Sequence, residues 1–222
     1  MSWMKRINAP KWWPIERKKS KYIVVPRGAH KMKIPLQVVI RDILKLADNA
    51  KEAKSIIKSR KVLVDGRPRT DVKYGVGPMD IISIPTINKN WRAVPRNGLT
   101  FIEIDKDSSM KICKILDKKI LKKATTQLNL SDGRNILTND NYSTHDSLLI
   151  ELPSQKILDV FPMKKGNTII VTGGKYEGTV SKIEEIDKPN KRIWIIVNDK
   201  KKEIPFKYAT VVGKDEPAIK IE

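Results

Sequence analysis

Cysteine is almost missing from this chain: Cys113 stands alone among 222 residues. No intrachain disulfide can form, and a Cys-rich zinc knuckle is excluded with it. Histidine is nearly as scarce, His30 and His145 lying far apart in sequence. A Cys–His pair would need tertiary proximity to act, and no flanking pattern points to one, so Cys113 reads as a small buried apolar residue. The phosphate-cradling pattern GxxxxGK[ST] is also absent. No apolar run approaches the roughly 18 residues of a membrane-spanning helix, and the opening MSWMKRINAPKWWP lacks the apolar core of a secretory signal. A basic chain can lie on an anionic membrane, but stable attachment takes a second anchor, and none is visible. The expectation is a cytoplasmic protein with no membrane partner, no cofactor, no small-molecule substrate and no catalysis.

Acidic residues are in short supply too. There are 25 Asp and Glu against 45 Lys and Arg, a formal net charge of +20. A compact chain so charged repels itself, and a polyanion relieves the repulsion while releasing counterions. Hydrophobic residues are 40% of the chain and charged ones 32%, which predicts small cores under a large basic surface.

Residues 1–35 hold ten Lys and Arg (Lys5, Arg6, Lys11, Arg17, Lys18, Lys19, Lys21, Arg27, Lys31, Lys33) against one acid, Glu16. Pro10, Pro14, Pro26 and Pro35 interrupt any long helix. This reads as an extended basic arm, partly disordered by itself. Trp3, Trp12, Trp13 and Tyr22 interleave with the cations, which suits stacking on unpaired bases. The alternative is a docking segment whose tryptophans cover the protein's own core.

From Pro35 the pattern becomes helical. Leu36, Val39, Ile40, Ile43 and Ala47 recur at three- and four-residue spacing, predicting a helix across 36–47. Asn49 with Glu52 three residues on predicts a capped second helix, with Ala50, Ala53, Ile56 and Ile57 on its apolar side. Arg41 and Lys45 fall one turn apart on one outward side, as do Lys51, Lys54 and Lys58 in succession on the other. Val62, Leu63 and Val64 then run into Asp65-Gly66, a turn dipeptide, with Arg67 and Arg69 beyond it. After Gly75 to Pro78 (GVGP), residues 80–85 (DIISIP) read as a strand.

The remainder is less legible, with strand signals at several points. Phe101 to Ile104 is one, and Asp132-Gly133 predicts a hairpin. KICKILDKKILKK has helical spacing at Ile112, Ile115, Leu116 and Ile120, yet its β-branched content fits strands. From Met163, a strand, a Gly173-Gly174 turn and a second strand starting at Gly178 precede strands at about 192–197 and 203–212. Gly173-Gly174-Lys175 reads as a tight turn before a phosphate loop, and Glu184-Glu185 as solvated acids before an acid–base pair. Lys118-Lys119, Lys122-Lys123 and Lys200 to Lys202 can all be plain solvated faces.

The run from Leu36 to Ile84, with AKSIIKSRKVLVDGRPRTDV at its centre, resembles the helix-helix-hairpin RNA-binding module first known from bacterial small-subunit protein four. On that resemblance its RNA-facing residues are Arg41, Lys45, Lys54, Lys58, Arg60, Lys61, Arg67 and Arg69. The stretch MKKGNTIIVTGGKYEGTVSKIEEID resembles the KOW motif of ribosomal proteins and transcription elongation factors, with Gly178 at its glycine position. The order of these parts, after RINAPKWWPIERKKSKYIVVPRGAHKMKIPL and around DGRNI, resembles the archaeal and eukaryotic small-subunit ribosomal protein family four-e over essentially the whole chain.

That resemblance implies an α+β, modular fold. A basic N-terminal arm (1–35) leads to a small helix-helix-β-hairpin RNA-binding domain (36–88), a β-rich central domain (89–163) and a C-terminal SH3-like KOW β-barrel (164–222). It implies a structural constituent of the small ribosomal subunit, bound to small-subunit ribosomal RNA beside neighbouring ribosomal proteins and not a homo-oligomer. The candidate RNA-binding residues are the eight above with Lys5, Arg6, Lys11, Trp12, Trp13, Arg17, Lys18, Lys19, Lys21, Arg27, His30, Lys31 and Lys175. No metal ligand and no catalytic residue is expected. Enzymes that carry the same module, pseudouridine synthases and some aminoacyl-tRNA synthetases, need a catalytic domain larger than the residues that remain. The alternative reading is a KOW-containing transcription factor that binds RNA polymerase.

Overall fold

A computed structural model describes residues 3–105, 107–121, 125–197 and 200–221. Lys122 and Lys123 lie outside the described residues. The chain forms two compact units, Met1–Ser109 and Met110–Glu222.

In the first unit, β1 (Trp3–Lys5) pairs antiparallel with β2 (Tyr22–Val24). β3 (Ile34–Pro35) then leads into α1 (Leu36–Val38), which continues as a π-helical turn over Val39–Ile43. The helix is shorter than its spacing predicts. Leu44 N–H bonds the carbonyl of Val39 at 2.8 Å, five residues back, and Lys45 is left-handed at φ +53°, a conformation an α-helix cannot propagate. α2 (Ala50–Lys58) follows as expected: the Asn49 side chain accepts from the N–H groups of Lys51 and Glu52, while Glu52 reaches back to Asp48 N–H at 2.9 Å. Asn49 thereby satisfies two of the N–H groups that a helix start leaves orphaned.

The other strands are β4 (Leu63–Val64), β5 (Arg67–Pro68), β6 (Gly75–Val76), β7 (Ile81–Ile84), β8 (Lys89–Pro95) and β9 (Leu99–Glu103). They give a five-stranded sheet in the order β5-β4-β7-β8-β9 and a short β3-β6 pair. Asp65 and Gly66 both take positive φ, +52° and +72°, making the tight β4–β5 turn that the dipeptide predicts. Residues 89–103, assigned from sequence to the central domain, extend this sheet by pairing β8 with β7.

One core joins these parts. Leu36, Val38, Val39 and Ile40, Ala53 and Ile57 of α2, Val62 and Val64, and Ile82 are all buried in it, each large apolar side chain contributing about 1.5–3 kcal/mol. Ala9, Trp13, Ile23 and Ile34 belong to the same core. This corrects the expectation of an extended arm: residues 3–35 fold onto the unit, because a thin scatter of apolar side chains among the charges suffices to anchor them.

The second unit has two five-stranded antiparallel sheets. The first is ordered β12-β11-β10-β13-β14, from β10 (Met110–Ile120), β11 (Thr126–Leu130), β12 (Asn135–Thr138), β13 (Ser147–Glu151) and β14 (Ile157–Phe161). The ambiguous KICKILD run is therefore strand. Asp132-Gly133 makes the expected β11–β12 hairpin, Gly133 at φ +84°.

The second sheet is ordered β18-β17-β16-β15-β19, from β15 (Thr168–Val171), β16 (Val180–Asp187), β17 (Arg192–Val197), β18 (Lys200–Pro205) and β19 (Ala209–Gly213). A 3-10 turn at Phe206–Tyr208 splits the strand expected at 203–212 into β18 and β19. Gly178 sits at φ +83°, its N–H on the carbonyl of Val171 at 2.8 Å. Among the described residues no pairing joins β18 to β19, so the strands form an open sheet where a closed barrel was expected.

Candidate nucleic-acid interface

The helical period of α2 decides which of its side chains meet solvent. Ala53 and Ile57 are buried, so Lys51, Lys54 and Lys58 stand on the opposite, exposed side. Arg60 ends the helix in the left-handed conformation, φ +60°, as Lys45 ends the first. Each costs about 1–2 kcal/mol that glycine would avoid; a cation stands at both strained positions. Lys61 and Arg67, on either side of β4 and its turn, are exposed too. A basic ridge thus runs from Lys51 to Arg67. Arg69 is half-buried with its guanidinium 4.4 Å from the Tyr74 ring, a cation–π contact. Arg41, also half-buried, is paired with Asp42 at 2.6 Å.

In residues 3–35 the cations divide. Lys5, Lys11, Lys18, Lys19, Lys21, Arg27 and Lys31 are exposed. Arg17 donates to the carbonyls of Ile7 and Ala9 at 2.9 and 3.0 Å and pins the backbone. Three candidates are corrected because they are buried. Arg6, 1% exposed, lies 3.2 Å from the Asp42 carboxylate and donates to Ser20 and to the Glu16 carbonyl. Trp13 is core and meets Trp12, itself half-buried, edge to face at 6.1 Å. His30 is buried with its Nε2 at 3.2 Å from Asp80. Gly77 exists for this last contact: a Cβ there would fall 2.1 Å from the His30 ring.

In the second unit, Lys175 is exposed beside the Tyr176 ring, 5.9 Å away. A similar pair, Lys207 over Tyr208 at 4.6 Å, borders Gly173; the adjacent Lys-Tyr dipeptides were the available signal for it. Trp3 and Tyr22, named from sequence among the stacking aromatics, are exposed and share one side of the β1–β2 pair with Lys5.

Buried charge here is structural. Asp132 lies 3.2 Å from Lys111 and 3.1 Å from Arg134; desolvation pushes its carboxyl up, but the two cations and the Arg134 N–H prevail and hold it below the usual range. Among the described residues no carboxylate pairs with Lys114: its ammonium donates to the carbonyls of Phe206 and Ala209, and desolvation pushes its pKa down to about 8. Cys113 donates to Asp132 at 3.4 Å. Among the described residues there is no group of three or more His, Cys, Asp and Glu able to hold a metal, and no helix long and apolar enough to cross a membrane.

Two short helices and a hairpin turn that hold a row of cations away from a shared core are the build of a protein that binds a polyanionic surface. Comparison with known proteins defines it further. The S4 domain model matches residues 34–82, and that of Ribosomal family S4e matches residues 87–157. The small ribosomal subunit protein eS4 of Methanocella arvoryzae is 42% identical over 225 residues, covering 97% of this chain and 96% of that relative. Its counterpart in Methanothermobacter thermautotrophicus is 41% identical over 230 residues, covering 98% and 95%. The crystal structure of the 30S ribosomal protein S4e from Thermoplasma acidophilum matches with TM-score 0.72 at 28% identity, over 83% of this chain and 96% of that one. The chain belongs to the eS4 family of small ribosomal subunit proteins.

Proposed function

We propose that the protein is a structural constituent of the small ribosomal subunit, which binds small-subunit ribosomal RNA in the cytoplasm and stabilises its fold during assembly and translation. Its family consists of structural ribosomal proteins, and it is not an enzyme. The observation that carries the reading is the exposed ridge from Lys51 to Arg67 lying inside the S4 match of residues 34–82. Phosphate neutralisation by such a ridge gives affinity, and folded RNA shape gives selectivity. The exposed cations Lys5, Lys11, Lys18, Lys19, Lys21, Arg27 and Lys31 extend the contact, and the KOW-type segment around Lys175 provides a second one. Arg6, Trp13 and His30 take no part in it.

Sedimentation of cell extract tests the assignment. Co-migration with small subunits through moderate salt is expected. Co-purification with RNA polymerase, free of subunits, would favour the transcription-factor alternative.

A further inference from the structure

Among the described residues, the two edge strands of the sheet β12-β11-β10-β13-β14 pair with no further strand, and they line one slot of about 470 Å3 through residues 136–138 of β12 and 157–160 of β14. Successive strand residues point to opposite faces. Unbroken runs on both sides therefore mean that the slot follows the backbone edges. The bend in β10 brings this about: Met110–Lys114 pairs with β13, Ile115–Ile120 with β11, and the register shifts between Ile115 and Asp117.

Hydrogen-bond register shows which backbone groups look into the slot. Leu130 N–H donates to the Arg134 carbonyl at 2.9 Å. Bonded and non-bonded pairs alternate along an antiparallel ladder, so Leu128↔Ile136 and Thr126↔Thr138 are the bonded pairs of this register. The N–H and C=O of Leu137 then turn away from β11, to the free edge. The Leu137 side chain is 63% exposed, and Leu158, also lining the slot, is 46% exposed.

Exposed apolar surface and charge together select the occupant. The charged residues lining the slot are Asp140, Asp159 and Lys156, two acids and one base, on a chain of net charge +20. Asp159 also meets Lys214 at 3.4 Å, outside the lining. An RNA backbone gains little from two exposed leucines and two carboxylates, whereas an extended polypeptide covers the leucines, and a cation on it gains Asp140 and shares Asp159 with Lys214.

We infer that the slot takes an extended segment of a protein partner, alternating apolar and basic residues, which adds as a strand between β12 and β14. Main-chain bonds to the edges supply affinity, apolar side chains cover Leu137 and Leu158, and Lys or Arg meets Asp140 and Asp159. β12 has four residues, so a segment of roughly four to six residues spans the edge at about 3.3 Å per residue. An uncovered edge of this kind is a liability that natural proteins rarely leave open.

The inference rests on the ribosomal reading, so the test uses purified small subunits containing the full chain, with p-benzoylphenylalanine in place of Leu137. Illumination is expected to crosslink that position to a protein segment of alternating apolar and basic residues. In subunits with the unmodified chain, the Leu137 amide is expected to exchange at least tenfold more slowly than in the free chain. Asp140→Lys with Asp159→Lys is expected to lower the crosslink yield at least fivefold. A crosslink to ribosomal RNA, or unchanged exchange at Leu137, overturns the slot assignment. Absence of the unmodified chain from the subunits overturns the ribosomal reading instead.

Discussion

Replacing Lys54, Lys58 and Arg60 with Gln is the sharpest probe of the basic ridge. Six of its cations are exposed: Lys51, Lys54, Lys58, Arg60, Lys61 and Arg67. If each neutralises one phosphate of an RNA duplex, and the duplex-DNA coefficient applies, log K falls against log salt with a slope of about −5, and with three removed about −3. Log salt rises by about 0.6 between 50 and 200 mM, so the intact chain loses roughly 2000-fold in affinity and the variant roughly 40-fold. Gln matches Lys closely in helix propensity at 54 and 58, and at the left-handed position 60 it exchanges one unbranched side chain for another, so the fold is conserved. Fluorescence anisotropy with a labelled small-subunit RNA fragment, titrated at stepped KCl concentrations, reads the slope directly. A control in the second unit, Lys119, Lys188 and Lys200 to Gln, removes equal charge from exposed positions. An unchanged slope in the ridge variant, or an equal drop in the control, would refute the assignment of RNA contact to this face.

Trp13→Ala is expected to cost about 3–5 kcal/mol in urea denaturation, the range for emptying a large aromatic site in a core; an unmoved midpoint with weakened RNA binding would restore the stacking role. Gly77→Ala should lower the unfolding midpoint, and His30→Ala in the same chain should recover part of the loss, because the new methyl meets that ring; strictly additive effects contradict this packing. Lys114 supplies a pH signature. Burial holds its folded pKa at about 8, below the ordinary lysine value of 10.5, so between those values the unfolded state holds more protons and stability rises with pH. The gain approaches about 3 kcal/mol across that window, and Lys114→Met should remove it. Parallel pH profiles of the two proteins would rule the argument out.

Local chemistry made much of the first unit legible. The side-chain cap at Asn49, the Asp65-Gly66 turn and the apolar side of α2 each depend on residues within four positions of one another, the range that sequence spacing reports. The π-helical turn at Val39–Ile43 was not legible, because apolar spacing does not separate bonds four residues back from bonds five residues back. The fold of residues 3–35 was hidden for another reason. Ala9, Trp13, Ile23 and Ile34 follow no period, and only the core formed by residues 36–99 gives them a common destination.

Buried charge is what sequence spacing reports least, and the cause is general. A cation is taken as surface because burial without a partner is costly, yet each buried cation here finds its partner far along the chain. Arg6 meets Asp42, Lys111 meets Asp132, and Lys114 meets the carbonyls of Phe206 and Ala209. None of those pairings has a local signature. The helical period of α2, by contrast, forces Lys51, Lys54 and Lys58 outward whatever the rest of the chain does. Cations placed by a local period could therefore be assigned to the outer face from sequence, while those in irregular segments could not be sorted until the tertiary partners were known. The net charge of +20 calls for a polyanionic partner, and the fold decides which part of that charge can reach it.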